Sequence, residues 1–224
     1  MVTVSFQVKL FPRLSIDISR RVRQLSHNVN GQIATRCGKR IVPYMPKLAA
    51  PWLAGCHDSD RAVSKAAQDA LKQTFNTPEK VYNVSKVFQR DILEYCRDVI
   101  QTETVQTLSD ERSVSKDDAE ATYARVIATS IAVISNLLSE LPIEELDKQR
   151  DTYEELLGQD KLWEAASHQD VSARRAILRL LRNCLDKKRG QWSNLEERRT
   201  LLYILIIIRC PATERQSHQL GPYW

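Results

Sequence analysis

An all-α chain assembled from repeated helical hairpins is the fold class this sequence predicts, on three observations. Among 224 residues there are only 6 glycines and 8 prolines, sparse for the turn-rich path of an all-β protein, while Ala, Leu, Arg, Glu and Gln are plentiful. Apolar residues recur at steps of three and four over most of the length, the period of a helix with one buried stripe. A pattern led by aspartate also occurs twice at a constant offset.

Taken in order, residues 1–10 show no helical stripe and are expected to form an irregular start. A helical-repeat domain is expected over 11–208, with helices near 16–37, 39–56, 59–75, 78–101, 116–141, 143–158, 160–168, 170–189 and 194–208. In the third of these the stripe is Val63, Ala66, Ala67, Ala70 and Leu71. In the fourth it is Val81, Val84, Phe88, Ile92, Tyr95 and Val99. Thr77 followed by Pro78 reads as an N-cap with proline at the first helical position. Ser115 reads as a second N-cap, with Asp117 and Asp118 at the positive end of the following helix. That helix repeats Ala124, Ile131 and Leu138, then Ile127, Ile134 and Leu141, and Val126, Val133 and Leu137 widen the stripe. Such breadth predicts a helix covered on two sides, and Pro142 ends it. Residues 102–115 lack periodicity and read as a long loop, and 209–224 as a disordered tail.

The repeat lies in DRAVSKAAQDAL (60–71) and DVSARRAILRLL (170–181). Asp60 corresponds to Asp170, Lys65 to Arg175 and Ala66 to Ala176, and each copy follows an apolar stretch holding a tryptophan, Trp52 or Trp163. An aspartate there can accept backbone N–H groups at the start of the second helix. The alanines permit close helix approach, and the basic residue is expected to reach an acid in the next unit. A hairpin of this kind cannot bury both faces alone, so units must stack, as in HEAT-type arrays. A plain helical bundle is the alternative.

Charge is unevenly placed within a net +5. Residues 13–40 hold 7 basic residues and one acid, 103–160 hold 14 acids and 5 bases, and 172–199 hold 9 bases and 3 acids. The two basic segments are either solvated faces attracted to the acidic middle or a surface for ribonucleic acid or ribosome. The candidate docking residues are Arg20, Arg21, Arg23, Lys39, Arg40, Arg174 and Arg175. The five cysteines are widely spaced with no C-x-x-C, which suggests buried thiols in a reducing compartment. Cys56 and His57 lack further ligands at zinc spacing and read as a core thiol beside a surface histidine. There is no signal-peptide pattern, and the longest apolar run, LLYILIII (201–208), is too short to span a bilayer. A cytosolic protein is expected, with neither a membrane nor a DNA partner. No nucleophile elbow, phosphate loop or H-E-x-x-H motif occurs, and the four histidines are scattered. The residues therefore describe a binding or scaffold module.

Three stretches carry a resemblance: FPRLSIDISRRVRQLSHNVNGQI (11–33), GKRIVPYMPKLAAPWLAGCHDSDRAVSKAAQDALKQTF (38–75) and VFQRDILEYCRDVIQTETVQTLSDERSVSKDDAEATYARVIATS (87–130). They resemble the N-terminal region of fungal listerin, a RING-type E3 ubiquitin ligase of ribosome-associated quality control, over roughly residues 8 to 200. The resemblance implies a long, curved HEAT/armadillo-type solenoid. It implies an N-terminal part that docks on the large ribosomal subunit and on other members of the quality-control complex. The family's RING, which holds its zinc and recruits a ubiquitin-conjugating enzyme, has no counterpart here. The chain is therefore expected to need no cofactor and to be inactive alone, as a fragment or truncated form whose two ends depart from the family. A stand-alone HEAT-repeat adaptor or scaffold binding a protein partner is the other reading.

Overall fold

A computed structural model describes residues 2–109, 112 and 114–187, and every regular element among them is helical. The architecture is all-α. The expected helix over 194–208 and the tail over 209–224 lie outside the described residues.

The start of the chain differs from expectation, because α1 (Val2–Leu14) is helical. Its apolar residues alternate as Val2, Val4, Phe6, Val8 and Leu10, a period of two that signals no helix. What fixes the far end of α1 is tertiary. Phe11 is buried and stands edge-on to His27, with ring centroids 5.3 Å apart, and to Trp52, at 6.4 Å. α2 (Arg20–Cys37) follows, then a 3-10 stretch (Gly38–Tyr44) leading into α3 (Met45–Gly55). α4 (Arg61–Phe75) buries Val63, Ala66, Ala67, Ala70 and Leu71. The alanines do permit close approach: a Cβ added to Gly31 of α2 would lie 2.6 Å from the Ala70 Cβ.

The helix expected over 78–101 is two helices, α5 (Pro78–Val87) and α6 (Gln89–Thr102), with Phe88 at φ −102° and ψ 20° between them. Nothing local marks the break. Each half follows its own neighbours, α5 packing on α4 and α6 on α3. The loop near 102–115 contains one helical turn, α7 (Val105–Leu108), closed by reciprocal Thr104 and Thr107 hydrogen bonds.

α8 (Lys116–Glu140) is the central helix, and it has the length and apolarity of a bilayer span. Here that surface is spent on protein packing. Its nine stripe residues from Ala124 to Leu141 are all buried, with α3 and α6 on one side and α12 (Val171–Lys187) on another. Ser115 caps α8 by accepting from the Asp118 N–H at 3.2 Å. Between α8 and α12 the chain makes three short helices, α9 (Ile143–Asp147), α10 (Arg150–Leu157) and α11 (Asp160–Glu164), and a 3-10 turn (Ala165–Ser167). Buried and half-buried side chains tie these layers together. Gln89 of α6 donates to the Tyr153 hydroxyl of α10 at 3.0 Å, and Asn183 of α12 donates to Ser135 of α8 at 2.9 Å.

Candidate docking surface

Three helices share one way of starting, and this decides which basic side chains reach solvent. At α4, the Asp58 carboxylate accepts from the Asp60 N–H at 2.8 Å. Asp60 in turn accepts from the N–H groups of Ala62 and Val63 at 2.8 and 3.3 Å. Ser64 then donates back to the Cys56 carbonyl at 2.8 Å. At α12, His168 Nδ1 accepts from the Asp170 N–H at 3.0 Å, and Asp170 accepts from the Ser172 N–H at 2.6 Å. Arg174 closes this turn by donating to the His168 and Gln169 carbonyls at 2.7 and 2.6 Å. At α2, Asp17 accepts from the Ser19 N–H at 2.7 Å, and Arg23 donates to the Asp17 and Ile18 carbonyls at 2.8 and 3.0 Å. Acceptor, N-cap residue and returning donor thus recur at positions −2, 0 and +4, with side-chain capping at Asp60 and Asp170 and none from Ser19. Sequence reasoning found this at Asp60 and Asp170 and missed the copy led by Ser19, 41 residues before Asp60.

The device buries Arg23 and ties down the half-buried Arg174. Arg23 also donates to both Asp58 carboxylate oxygens, at 2.8 and 3.3 Å, and the two side chains are only 5% and 4% exposed. Arg23 was expected at a docking face and is instead a buried ion-pair partner, because it lies on the side of α2 that packs into the fold with Ser26, His27, Asn30, Gly31 and Ala34. Arg125 of α8 enters the same cluster. It donates to the Ile16 and Asp17 carbonyls at 2.9 and 3.1 Å, and its Nε lies 4.0 Å from Asp58. Burial, reinforced by Arg23 and opposed by Asp58 and Asp17, pushes the Arg125 guanidinium down to about 10, still protonated at neutral pH. Sequence reasoning did not single out Asp58 or Arg125.

Next to this cluster His27 is wholly buried, and neither ring nitrogen makes a hydrogen bond among the described residues. Burial, together with the Arg23 charge and against the pull of Asp58, lowers its pKa to about 4, so the ring is neutral.

What remains at the surface is specific. Arg21, Arg36, Lys39 and Arg40 are exposed and form no ion pair among the described residues. Arg20 reaches Asp60 at 3.7 Å but keeps 80% of its side chain in solvent, so the contact contributes little. Between Arg21 and Arg36 on the outer face of α2 stand Leu25 and Val29, 52% and 54% exposed. On α12, Arg175 is exposed while Arg174 is half-buried in its turn. The expected ion pair from Lys65 or Arg175 to a neighbouring unit is not formed among the described residues. Nor do those residues offer a group of three His, Cys, Asp or Glu side chains able to hold a metal. Cys56 and His57 are both half-buried. Burial pushes the Cys56 thiol up to about 12 and lowers the His57 pKa.

The fold and this surface define a class: an α-helical repeat segment whose second helix carries an outward basic and apolar face. Comparison with known proteins places it further. The family model for the N-terminal domain of the E3 ubiquitin-protein ligase listerin matches residues 2–214, so the two ends that were expected to depart from the family largely fall within it. The listerin of Neurospora crassa is 39% identical over 180 residues, 80% of this chain and 11% of that protein. Mouse listerin is 29% identical over 173 residues, 77% of this chain and 10% of that protein. Baker's yeast listerin is 25% identical over 177 residues, 77% of this chain and 11% of that protein. The chain belongs to the listerin family and corresponds to its N-terminal domain, spanning about a tenth of the length of these relatives.

Proposed function

We propose that this chain is a HEAT/armadillo-type docking segment of a listerin-type E3 ubiquitin ligase, acting in the cytosol in ribosome-associated quality control. It binds the large ribosomal subunit and other members of the quality-control complex. In this reading ubiquitin transfer to stalled nascent chains, the zinc-holding RING and the ubiquitin-conjugating enzyme belong to other parts of such a ligase, and this segment supplies position rather than chemistry. The observation that carries the proposal is the exposed basic set Arg20, Arg21, Lys39 and Arg40, with Arg36 beside it and no acid spent on it apart from the loose Asp60 contact. Arg175 is a further exposed cation, on α12. Such a set suits ribosomal phosphates, whose neutralisation releases counterions and makes binding salt-dependent. The 41-residue spacing of the first two helix starts is of the length expected for HEAT-type units.

Co-sedimentation with purified large subunits tests this. Replacing Arg20, Arg21, Lys39 and Arg40 by glutamate is expected to weaken binding by at least tenfold, roughly, and to flatten its salt dependence. Unchanged binding by a variant that still melts like the parent would overturn the surface assignment. A second reading, a stand-alone helical-repeat adaptor for a protein partner, is favoured by the exposed Leu25 and Val29. It predicts no sedimentation with ribosomes at all.

A further inference from the structure

Away from the basic surface, a groove of about 680 Å³ opens between α3, α4, α5 and α8, within the size range of ligand-binding clefts. Its floor is apolar, with Leu53 from α3, Leu71 from α4 and Val81 from α5. Around the floor stand three carboxamides, Gln68, Asn76 and Asn136. The Asn76 and Asn136 side chains make no hydrogen bond among the described residues. Gln68 uses only its nitrogen, donating to the Cys56 carbonyl at 3.4 Å and the Ser64 hydroxyl at 3.3 Å, so its carbonyl stays available. Asn76 is held at the lip by a left-handed backbone, φ 58°, which asparagine tolerates better than most residues. Two opposite charges, Lys72 on α4 and Glu140 on α8, also line it, together with Cys56, His57, Thr77, Pro78, Tyr82 and Ser85. Both are exposed and neither forms an ion pair among the described residues. Both act on the Cys56 thiol, Glu140 raising and Lys72 lowering it beneath the larger effect of burial.

This combination selects a ligand class. A nucleic acid or other polyanion would meet Glu140, and a polycation would meet Lys72. A purely apolar molecule would leave the carboxamides without new partners. A peptide group donates and accepts as a carboxamide does and needs no net charge, so a peptide with an apolar side chain suits both the floor and the three carboxamides. We propose that this groove takes a short uncharged stretch of polypeptide, its apolar side chain seated on Leu53, Leu71 and Val81 and its peptide groups paired by Gln68, Asn76 and Asn136. The site is separate from the basic surface, so each can fail without the other.

The test is titration of the isotope-labelled 224-residue chain, followed by amide chemical shifts. The probes are three capped pentapeptides with leucine, phenylalanine or tryptophan at the centre between glycine and serine residues. In parallel, 4-methylpentan-1-ol supplies the apolar group without peptide groups. At least one peptide is expected to saturate the shifts at residues 76, 77 and 79–82 and at the Gln68 and Asn136 side-chain amides, while the alcohol does not. Asn136→Leu keeps the volume and removes one carboxamide. It should weaken that peptide about fivefold, the worth of one neutral hydrogen bond, with an unchanged melting temperature. No saturable shift with any of the three peptides, equal binding of the alcohol, or parental affinity in Asn136→Leu would each overturn the proposal.

Discussion

Replacing Asp58 by asparagine asks whether the buried charge cluster holds the first turns of the fold together. The Asp58 carboxylate accepts two hydrogen bonds from Arg23 and one from the Asp60 N–H, and it also lies 4.0 Å from the Arg125 Nε. Asparagine keeps the volume and one acceptor oxygen but leaves two guanidiniums in a site where the facing carboxylate is 4% exposed. Breaking a buried pair from one side costs about 3–5 kcal/mol. The lower end applies, because both arginines retain backbone carbonyls in the turn between α1 and α2. At about 2–4 °C per kcal/mol for a domain of this size, a loss of about 3 kcal/mol lowers the melting temperature by roughly 6–12 °C. Circular dichroism or calorimetry measures it. The decisive form is a double-mutant cycle with Arg23→Met. Once Asp58 is neutral, removing Arg23 should cost less than it does in the parent, by more than about 1 kcal/mol. If the two effects add within about 0.5 kcal/mol, or if Asp58→Asn melts like the parent, the cluster is not what secures these turns.

Other consequences can be checked on the same purified chain. The folded His27 pKa of about 4 lies below the ordinary 6.5, so unfolding takes up a proton between these values. Stability from this residue is full above about pH 6.5 and falls as pH drops to about 4, by an amount on the order of 3 kcal/mol. His27→Leu should flatten the slope in urea titrations across that window, and an unchanged slope argues against a neutral buried ring. Gly31→Ala drives a Cβ to within 2.6 Å of the Ala70 Cβ and 3.0 Å of its Cα. It is expected to destabilise by about 1–3 kcal/mol despite alanine's better helix propensity, and a raised melting temperature would show that α2 and α4 are not in close contact. Asp170→Ala removes the cap of α12 and should cost about 1 kcal/mol, read by thermal melting, whereas Asp170→Asn should retain most of it. Replacing both Leu25 and Val29 by glutamine is expected to leave stability within about 0.5 kcal/mol while weakening partner binding. A large loss of stability would mark them as structural.

Much of the fold is written in apolar spacing. α8 announces itself because its period and its burial agree at every stripe position, and α4 does so because its alanines sit where another helix must come close. The caps at Asp60, Thr77 and Ser115 are legible because capping is a local transaction between a side chain and the next three N–H groups. The break at Phe88 and the helix over Val2–Leu14 are not legible, since each depends on surfaces supplied from elsewhere in the chain.

The candidate docking surface is half legible, and α2 shows why. In this helix the usual assignment of faces is reversed. Arg23, Ser26, His27 and Asn30 turn inward with Gly31 and Ala34, while Leu25 and Val29 turn outward. A reader who places apolar residues inside will put Arg23 on the surface and Leu25 in the core, and both assignments fail together. The inward face works because Arg23 meets the turn before α2 and Asp58, because Ser26 bonds back to the Arg23 carbonyl, and because glycine and alanine let α4 approach. Leu25 and Val29 have no role in the described core, and keeping them exposed opposes the ordinary drive to bury apolar surface. Positions where local pattern and tertiary structure disagree are where function is expected to set the sequence. On that reasoning the outward face of α2, an apolar pair set between Arg21 and Arg36, is the first place to look for partner contacts in the proposed docking role, and Arg23 and Arg125 fix the start of the helix that carries it.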